Sequence, residues 1–252
     1  MTSEIRVALI GYGRMGKELH TIIQERGWPE PILIDPHYKG AYSCVDDAPL
    51  DQVDVCIEFT EPSQALDAIL RALESSTPVI SGTTGWEQNV SQIRTAVREH
   101  RTAFLHANNF SLGVYLFSEI LEYAARLLGK FPEYDLALHE THHRGKMDIP
   151  SGTAHMLARK VRAAHPTKRR TAYTNEDAQI EPETLMISAS RVGSVFGEHC
   201  LRVDSEGDGI EIKHVAKSRR GFAEGAVTAA KWIVGEVGIF TLEDMINDIT
   251  AA

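Results

Sequence analysis

Positive charge, paired cysteines and long apolar runs are scarce in this chain, and each shortage removes a class of function. The 252 residues carry 26 Lys and Arg against 35 Asp and Glu, a formal net charge of −9. Nucleic acid and anionic membrane are recruited by positive fields, so neither is an expected partner. Cysteine occurs three times, at Cys44, Cys56 and Cys200, without C-x-x-C spacing. That pattern predicts neither a disulfide framework nor a thiolate zinc site, and it suits a reducing cytoplasm. No stretch approaches the ~18 uninterrupted apolar residues of a spanning helix. Met1 to Gly11 lacks a basic region and a cleavage site, so neither export nor membrane insertion is expected. Repeats and low-complexity linkers are also missing. With 43% hydrophobic and 24% charged residues, the chain has the composition of a soluble globular protein, long enough for one large domain or two modest ones.

What is present is a rhythm. Ile5 to Ile10 is a short β-branched run that stops at a glycine, and Met15 to Arg26 carries Leu19, Ile22 and Ile23 at helical spacing before Gly27. Pro31 to Ile34, Val53 to Ile57, Pro78 to Ile80 and Ala103 to Leu105 read as further strands, with helices over Ser63 to Leu73 and Val90 to Glu99. This alternation predicts an α/β fold, a Rossmann-type doubly wound parallel sheet. Near Asn108 the pattern changes. A long apolar helix, Leu112 to Leu128, leads to a strand over Tyr134 to Glu140 and a histidine-rich loop. Ser151 to Ala164 reads as a helix, and Thr184 to Ser190, Ser194 to Asp204 and Gly209 to His214 read as antiparallel strands. Pro166 to Glu183 reads as a mobile surface loop. Gly221 to Val234 is helical again and is expected to return to the first domain, with a short tail from Leu242 to Ile249. The expected division is therefore 1–110 plus 221–252 around an inserted α+β domain, 111–220.

Gly11, Tyr12, Gly13, Arg14, Met15 and Gly16 fit G-x-G-x-x-G between a first strand and a first helix, the context in which that motif binds a dinucleotide pyrophosphate. Asp35, at the end of the second strand, is placed to accept ribose hydroxyls of NAD, whereas nearby Lys39 suits the 2′-phosphate of NADP or simply solvent. Ser81-Gly82-Thr83-Thr84-Gly85 caps another strand on the ligand-binding edge, and Asn108-Asn109-Phe110-Ser111 follows the fifth. His139 to Asp148 is the densest ionisable group in the chain. Its H-x-x-H-H spacing and adjacent Arg144 and Lys146 argue against a metal. Followed by Pro150-Ser151-Gly152-Thr153, a helix start, it makes an anion site. Arg219 and Arg220 suit either a phosphate or a structural brace.

GYGRMG, SGTTG, NNFSLG, ETHHRGKMDIPSGTA and HVAKSRRGFAEGA together resemble the 4-hydroxy-tetrahydrodipicolinate reductase (dihydrodipicolinate reductase) family of lysine and diaminopimelate biosynthesis, from Val7 to about Val234. The resemblance implies reduction of that small dicarboxylate by NADH or NADPH. It implies that His142 and Lys146 serve proton transfer, and that His143, Lys146, Ser151, Gly152, Thr153 and Thr84 hold substrate. Gly82, Thr83, Thr84, Ala107, Asn108, Asn109 and Phe110 would join the fingerprint, Asp35 and Lys39 as cofactor ligands. The inserted domain would bind substrate and build a homotetramer. Two other readings remain at this point: another inserted-domain dehydrogenase, of the homoserine or diaminopimelate type, and a non-catalytic nicotinamide sensor, for which a proton donor beside the cofactor has no use.

Overall fold

The computed structural model describes residues 4–173 and 180–251. The chain divides into two compact units, Met1–Ser111 with Arg219–Ala252 and Leu112–Ser218.

The first unit opens with β1 (Val7–Ile10), α1 (Arg14–Glu25), β2 (Ile32–Ile34), β3 (Val55–Glu58), α2 (Pro62–Glu74), β4 (Val79–Ser81), α3 (Val90–His100) and β5 (Ala103–His106). Every residue of β1, β3 and β4 is buried, as central strands covered on both faces must be. The helices bury one stripe each. In α1 that stripe is Gly16, Leu19, Ile22 and Ile23, and the chain leaves the helix through Gly27 at φ +70°. Pro62 opens α2, where its missing N–H costs no helical bond.

The second unit runs α4 (Leu112–Leu128), β6 (Asp135–His142), α5 (Gly152–Ala164), β7 (Arg170–Tyr173), β8 (Thr184–Arg191), β9 (Gly197–Asp204) and β10 (Gly209–Ala216). The strand order is β10-β9-β6-β8-β7. Phe117, Leu121 and Ala125 of α4 and Leu157 and Val161 of α5 share a core with Leu136, Leu138, Leu185, Ile187, Leu201 and Val203 of the sheet. Three sequence expectations change here. The sheet is mixed: β9 is antiparallel to β6 and β10, but β8 is parallel to β6 and β7. Between β6 and β8 the chain passes through α5, the long crossover that a parallel pair requires. The stretch expected as a loop contains β7, and buried Lys168 anchors it by donating to Asp135 and to the carbonyls of Pro182 at 2.9 Å and Thr184 at 2.8 Å. Part of that expectation, residues 174–179, lies outside the described residues. Finally, β6 continues to His142, so this histidine stands on a strand and not in a loop.

The chain then re-enters the first unit through α6 (Arg220–Ile233), β11 (Gly238–Thr241) and α7 (Leu242–Ala251). Strand β11 was not expected and extends the parallel sheet beside β5. The order β11-β5-β4-β3-β1-β2 makes this a doubly wound sheet whose direction switches between β1 and β3, the place where such sheets bind ligands. No helix among the described residues is long and apolar enough to cross a membrane.

Candidate active site

The loop from β1 to α1 is shaped by what a side chain would strike. A Cβ on Gly11 would lie 2.4 Å from the Phe59 carbonyl oxygen, at a φ of +91°. On Gly16 it would lie 2.3 Å from the Gly11 carbonyl oxygen. Both glycines are therefore required by the chain's own packing. Gly13 differs, because nothing lies within 4 Å of its Cβ position. It caps α1 without a side-chain hydrogen bond, and the helix has no acid in its first turn. Open space before an uncompensated helix N-terminus fits a phosphate, so these residues fit a dinucleotide. Arg14 is exposed here, and Tyr12 and Met15 are half-buried.

Asp35 accepts the Tyr12 N–H at 2.7 Å through Oδ2 and the His37 N–H at 2.8 Å through Oδ1. Besides standing at the end of β2, it fastens the fingerprint loop there. Tyr12 adds a second tie, its hydroxyl lying 2.6 Å from His20 Nδ1. Lys39 is exposed in the following turn.

A buried acid organises the next two turns. The Glu58 carboxylate accepts the Thr60 N–H at 2.7 Å and the hydroxyls of Thr60, Ser81 and Thr83 at 2.6, 2.6 and 2.7 Å. The Thr83 hydroxyl is thus spent inside the protein, while Thr84 is exposed. A Cβ on Gly82 would lie 2.1 Å from the Phe59 ring, which contacts Phe110 at a centroid distance of 5.9 Å. Ala107 and Asn109 are half-buried and Asn108 is exposed. Asn109 Oδ1 accepts the Ser111 N–H at 2.9 Å. Phe110 is buried beneath α6, where a Cβ on Gly225 would come within 1.7 Å of its carbonyl oxygen. Arg220 is committed to Glu25 and Glu224, the bracing role.

In the second unit the alternation of β6 buries Leu136, Leu138, Glu140 and His142 on one face. The apolar side of the strand therefore ends in an acid and a histidine. Glu140 is 1% exposed. Its Oε1 accepts from Arg191 Nη2 at 2.8 Å and from the Ser151 N–H at 3.1 Å. Its Oε2 faces His142 Nδ1 at 3.4 Å and His199 Nε2 at 3.6 Å. Burial alone would raise the Glu140 carboxyl, but His199, Ser151 and Arg191 outweigh it and hold it well below the usual carboxylate range. Burial pushes His142 down to about 4. Glu140 opposes that shift, and His199, Lys146 and Arg191 reinforce it. The ligand atoms of Glu140, His142 and His199 lie within 4.8 Å of one another, a donor set a metal could use, but Arg191 already supplies this carboxylate with a positive partner.

The turn after β6 carries the remaining candidates. Lys146 Nζ donates to Asp148 Oδ1 at 2.8 Å, and His143 is exposed. Asp148 is held below the ordinary range chiefly by Lys146, with the Gly152 N–H contributing. Ser151 caps α5, its Oγ accepting the Ala154 N–H at 3.1 Å. Gly152 is exposed and Thr153 half-buried at that helix start. Within this unit, then, His142, His143, Lys146, Ser151, Gly152 and Thr153 occupy the end of one strand, one turn and one helix start. Sequence reasoning gave Glu140 no role of its own within the His139 to Asp148 cluster and passed over Arg191, His199 and Gly197. The alternation Leu136, Leu138, Glu140, His142 contained the signal for the first.

A glycine-loop parallel sheet interrupted by a mixed sheet, with a buried acid and histidines at one end of it, defines the two-unit dehydrogenase class. Comparison with known proteins narrows this. The model of the dihydrodipicolinate reductase N-terminus matches residues 40–110, and that of the C-terminus matches residues 113–246. The 4-hydroxy-tetrahydrodipicolinate reductase of Christiangramia forsetii is 34% identical, covering 97% of this chain and 99% of its own. That of Neisseria meningitidis serogroup B is 33% identical, covering 96% and 97%. In fold, the chain is similar to a dipicolinate-bound dihydrodipicolinate reductase from Paenisporosarcina sp. TG-14, with a TM-score of 0.74, 21% identity and coverage of 95% and 98%. This chain belongs to the dihydrodipicolinate reductase family.

Proposed function

We infer that this chain reduces 4-hydroxy-tetrahydrodipicolinate to tetrahydrodipicolinate with NADH or NADPH, in lysine and diaminopimelate biosynthesis, as a cytoplasmic homotetramer. The observation that carries the reading is family membership along both units, with 33–34% identity to reductases of that name. Exposed Ile210 and Val215 on the edge strand β10 support assembly through the mixed sheet.

When bound, the reduced nicotinamide supplies a hydride. Gly11 to Gly16 would hold its pyrophosphate, Asp35 and Lys39 would serve the adenosine ribose, and Gly82 to Thr84 with Ala107 to Phe110 would serve the nicotinamide end, Thr83 without its hydroxyl, which Glu58 occupies. Lys146, His143 and the start of α5, with Ser151, Gly152 and Thr153, hold the substrate. One substrate carboxylate takes over Lys146 and the Gly152 N–H, donors now shared by Asp148. His142 delivers a proton to the reduced skeleton. The test is turnover of freshly generated 4-hydroxy-tetrahydrodipicolinate by purified protein, beside meso-diaminopimelate as the rival substrate. Reduction of NAD+ or NADP+ by the latter, with no oxidation of NADH or NADPH by the former, overturns the reading.

Two variants probe the binding roles. Lys146→Ala removes a charge facing a dianion, so steady-state kinetics should show KM rising about tenfold to 10²-fold, with kcat falling too. A change confined to kcat removes Lys146 from substrate binding. Asp35→Asn keeps an acceptor for the loop but loses the charge that repels a 2′-phosphate. The ratio of dissociation constants should shift about tenfold toward NADPH, a change of ~1.4 kcal/mol in like-charge repulsion. An unchanged ratio means Asp35 acts as a loop brace alone.

A further inference from the structure

Two buried polar atoms, Glu140 Oε2 and His142 Nδ1, face each other across 3.4 Å, and neither makes a well-formed hydrogen bond among the described residues, the other neighbour of Oε2 being His199 Nε2 at 3.6 Å. Two lone pairs opposed in this way repel. A proton held on Nδ1 turns the contact into attraction, and then Nε2 is the nitrogen left to exchange a proton with a ligand. On that side β9 carries a glycine: a Cβ on Gly197 would lie 3.0 Å from His142 Nε2, so no side chain covers it from there.

The surroundings follow from strand register. Glu140 stands opposite His199 of β9, and His142 stands opposite Arg191 of β8. Three strands thus bring a carboxylate, a guanidinium and two imidazoles together at the end of the sheet. A buried ionic group of this kind is weak evidence for stability, since well-packed apolar residues of like volume often serve as well. Its placement at the proposed proton donor points to the chemistry instead. The same carboxylate accepts the Ser151 N–H, just before the α5 helix start.

We propose that Glu140 is the positioning residue of the reduction: its carboxylate keeps the His142 proton on Nδ1, presents Nε2 to the substrate, and ties that histidine to the turn opening α5. The proposal rests on the reductase reading for its kinetic consequence, but the tautomer does not depend on it. The groups that face His142 are Glu140 from its own strand, His199 from β9, Arg191 from β8 and Lys146 from the following turn.

The experiment joins spectroscopy to kinetics on the full chain. Long-range ¹H–¹⁵N correlation on ¹⁵N-histidine-labelled protein, with His142→Gln to assign the signals, reads which ring nitrogen is protonated. The wild type should hold the proton on Nδ1, and Glu140→Gln should move it or mix the tautomers. In that variant kcat should fall about 10²-fold, the lower range of a general acid's contribution. KM should change much less, because the amide oxygen can still serve Arg191 and Ser151. The pH profile should lose the limb that reports His142. Glu140→Asp keeps the charge and should restore part of kcat and that limb, which loss of packing alone would not produce. A wild-type His142 protonated on Nε2 overturns the proposal, as does a Glu140→Gln enzyme with normal kcat and pH profile, whatever its thermal stability. If Glu140→Gln does not fold, the wild-type tautomer and Glu140→Asp decide. Loss of turnover in His142→Gln beside normal turnover in Glu140→Gln removes this proposal alone, whereas a wild type without turnover removes the reductase reading.

Discussion

Gly13→Val is expected to lose nicotinamide nucleotide binding by ~10²-fold or more while folding normally. The scale follows from losing helix-terminal anion stabilisation and charge-assisted backbone hydrogen bonds, worth roughly 1–3 kcal/mol each. What makes Gly13 the clean position is the contrast with its neighbours. Substituting Gly11 or Gly16 forces a Cβ to within 2.4 or 2.3 Å of a carbonyl oxygen, so lost binding there would be confounded with a displaced loop. Gly13 has a φ of −76°, on the negative side unlike Gly11, and empty space at its Cβ position. A valine can therefore be accommodated by the protein and not by a pyrophosphate in the same place. Calorimetric titration with NADH and NADPH, beside circular dichroism and a melting curve, reads both halves. Wild-type affinity in a folded Gly13→Val protein would move the cofactor away from this loop.

The parallel sheet was legible because its strands are self-contained signals. VALI and VCIE are apolar throughout and stop at turns, and Leu19, Ile22 and Ile23 mark a helical stripe between them. Strand β11 escaped because Gly238-Ile-Phe-Thr is short and only half-buried at the edge of the sheet. Sheet order and direction in the second unit were also hidden. Whether β8 joins β6 or β9 depends on which edge the chain reaches after α5, a tertiary choice that alternation in a single strand does not encode.

The candidate site divides along the same line. His142, Lys146 and Ser151 to Thr153 lie within twelve residues and could be gathered by eye. Arg191 and His199 come from 49 and 57 positions beyond His142 and converge through register alone. Glu140 is the instructive case. Its place in the Leu136, Leu138, Glu140, His142 alternation puts an acid on the core face, and a buried acid asks for partners. That question was available from period-two spacing; its answer needed the neighbouring strands. Similarly, Thr83 had the right composition for a ligand contact, but the hydroxyl is occupied by Glu58, itself invisible as an organiser until four donors meet on it.

His142→Gln is expected to lower kcat by ~10²-fold or more with KM little changed, because it keeps a polar side chain of related shape and removes the titratable proton. The environment adds a condition. With His142 pushed down to about 4 in the free protein, the imidazole is neutral near pH 7 and has no spare proton to give. Burial dominates that depression, with positive neighbours adding to it, and the substrate brings two negative charges. Opposite charge favours the protonated form, so binding pyridine-2,6-dicarboxylate should raise the His142 midpoint, measured by NMR titration of the free and bound protein. A midpoint that stays where it was in the complex would remove His142 as a donor and shift attention to His143. Linkage gives an independent check on sign. A histidine whose folded value lies below its unfolded 6.5 binds its proton more readily once unfolded, so its contribution to stability is present above that value and is lost as pH falls from about 6.5 to about 4. Relative to wild type, His142→Gln should therefore be less acid-sensitive across that window in chemical denaturation. Equal pH dependence in the two proteins would mean that His142 takes up its proton in the folded state as readily as in the unfolded one, and the depression by burial would fall.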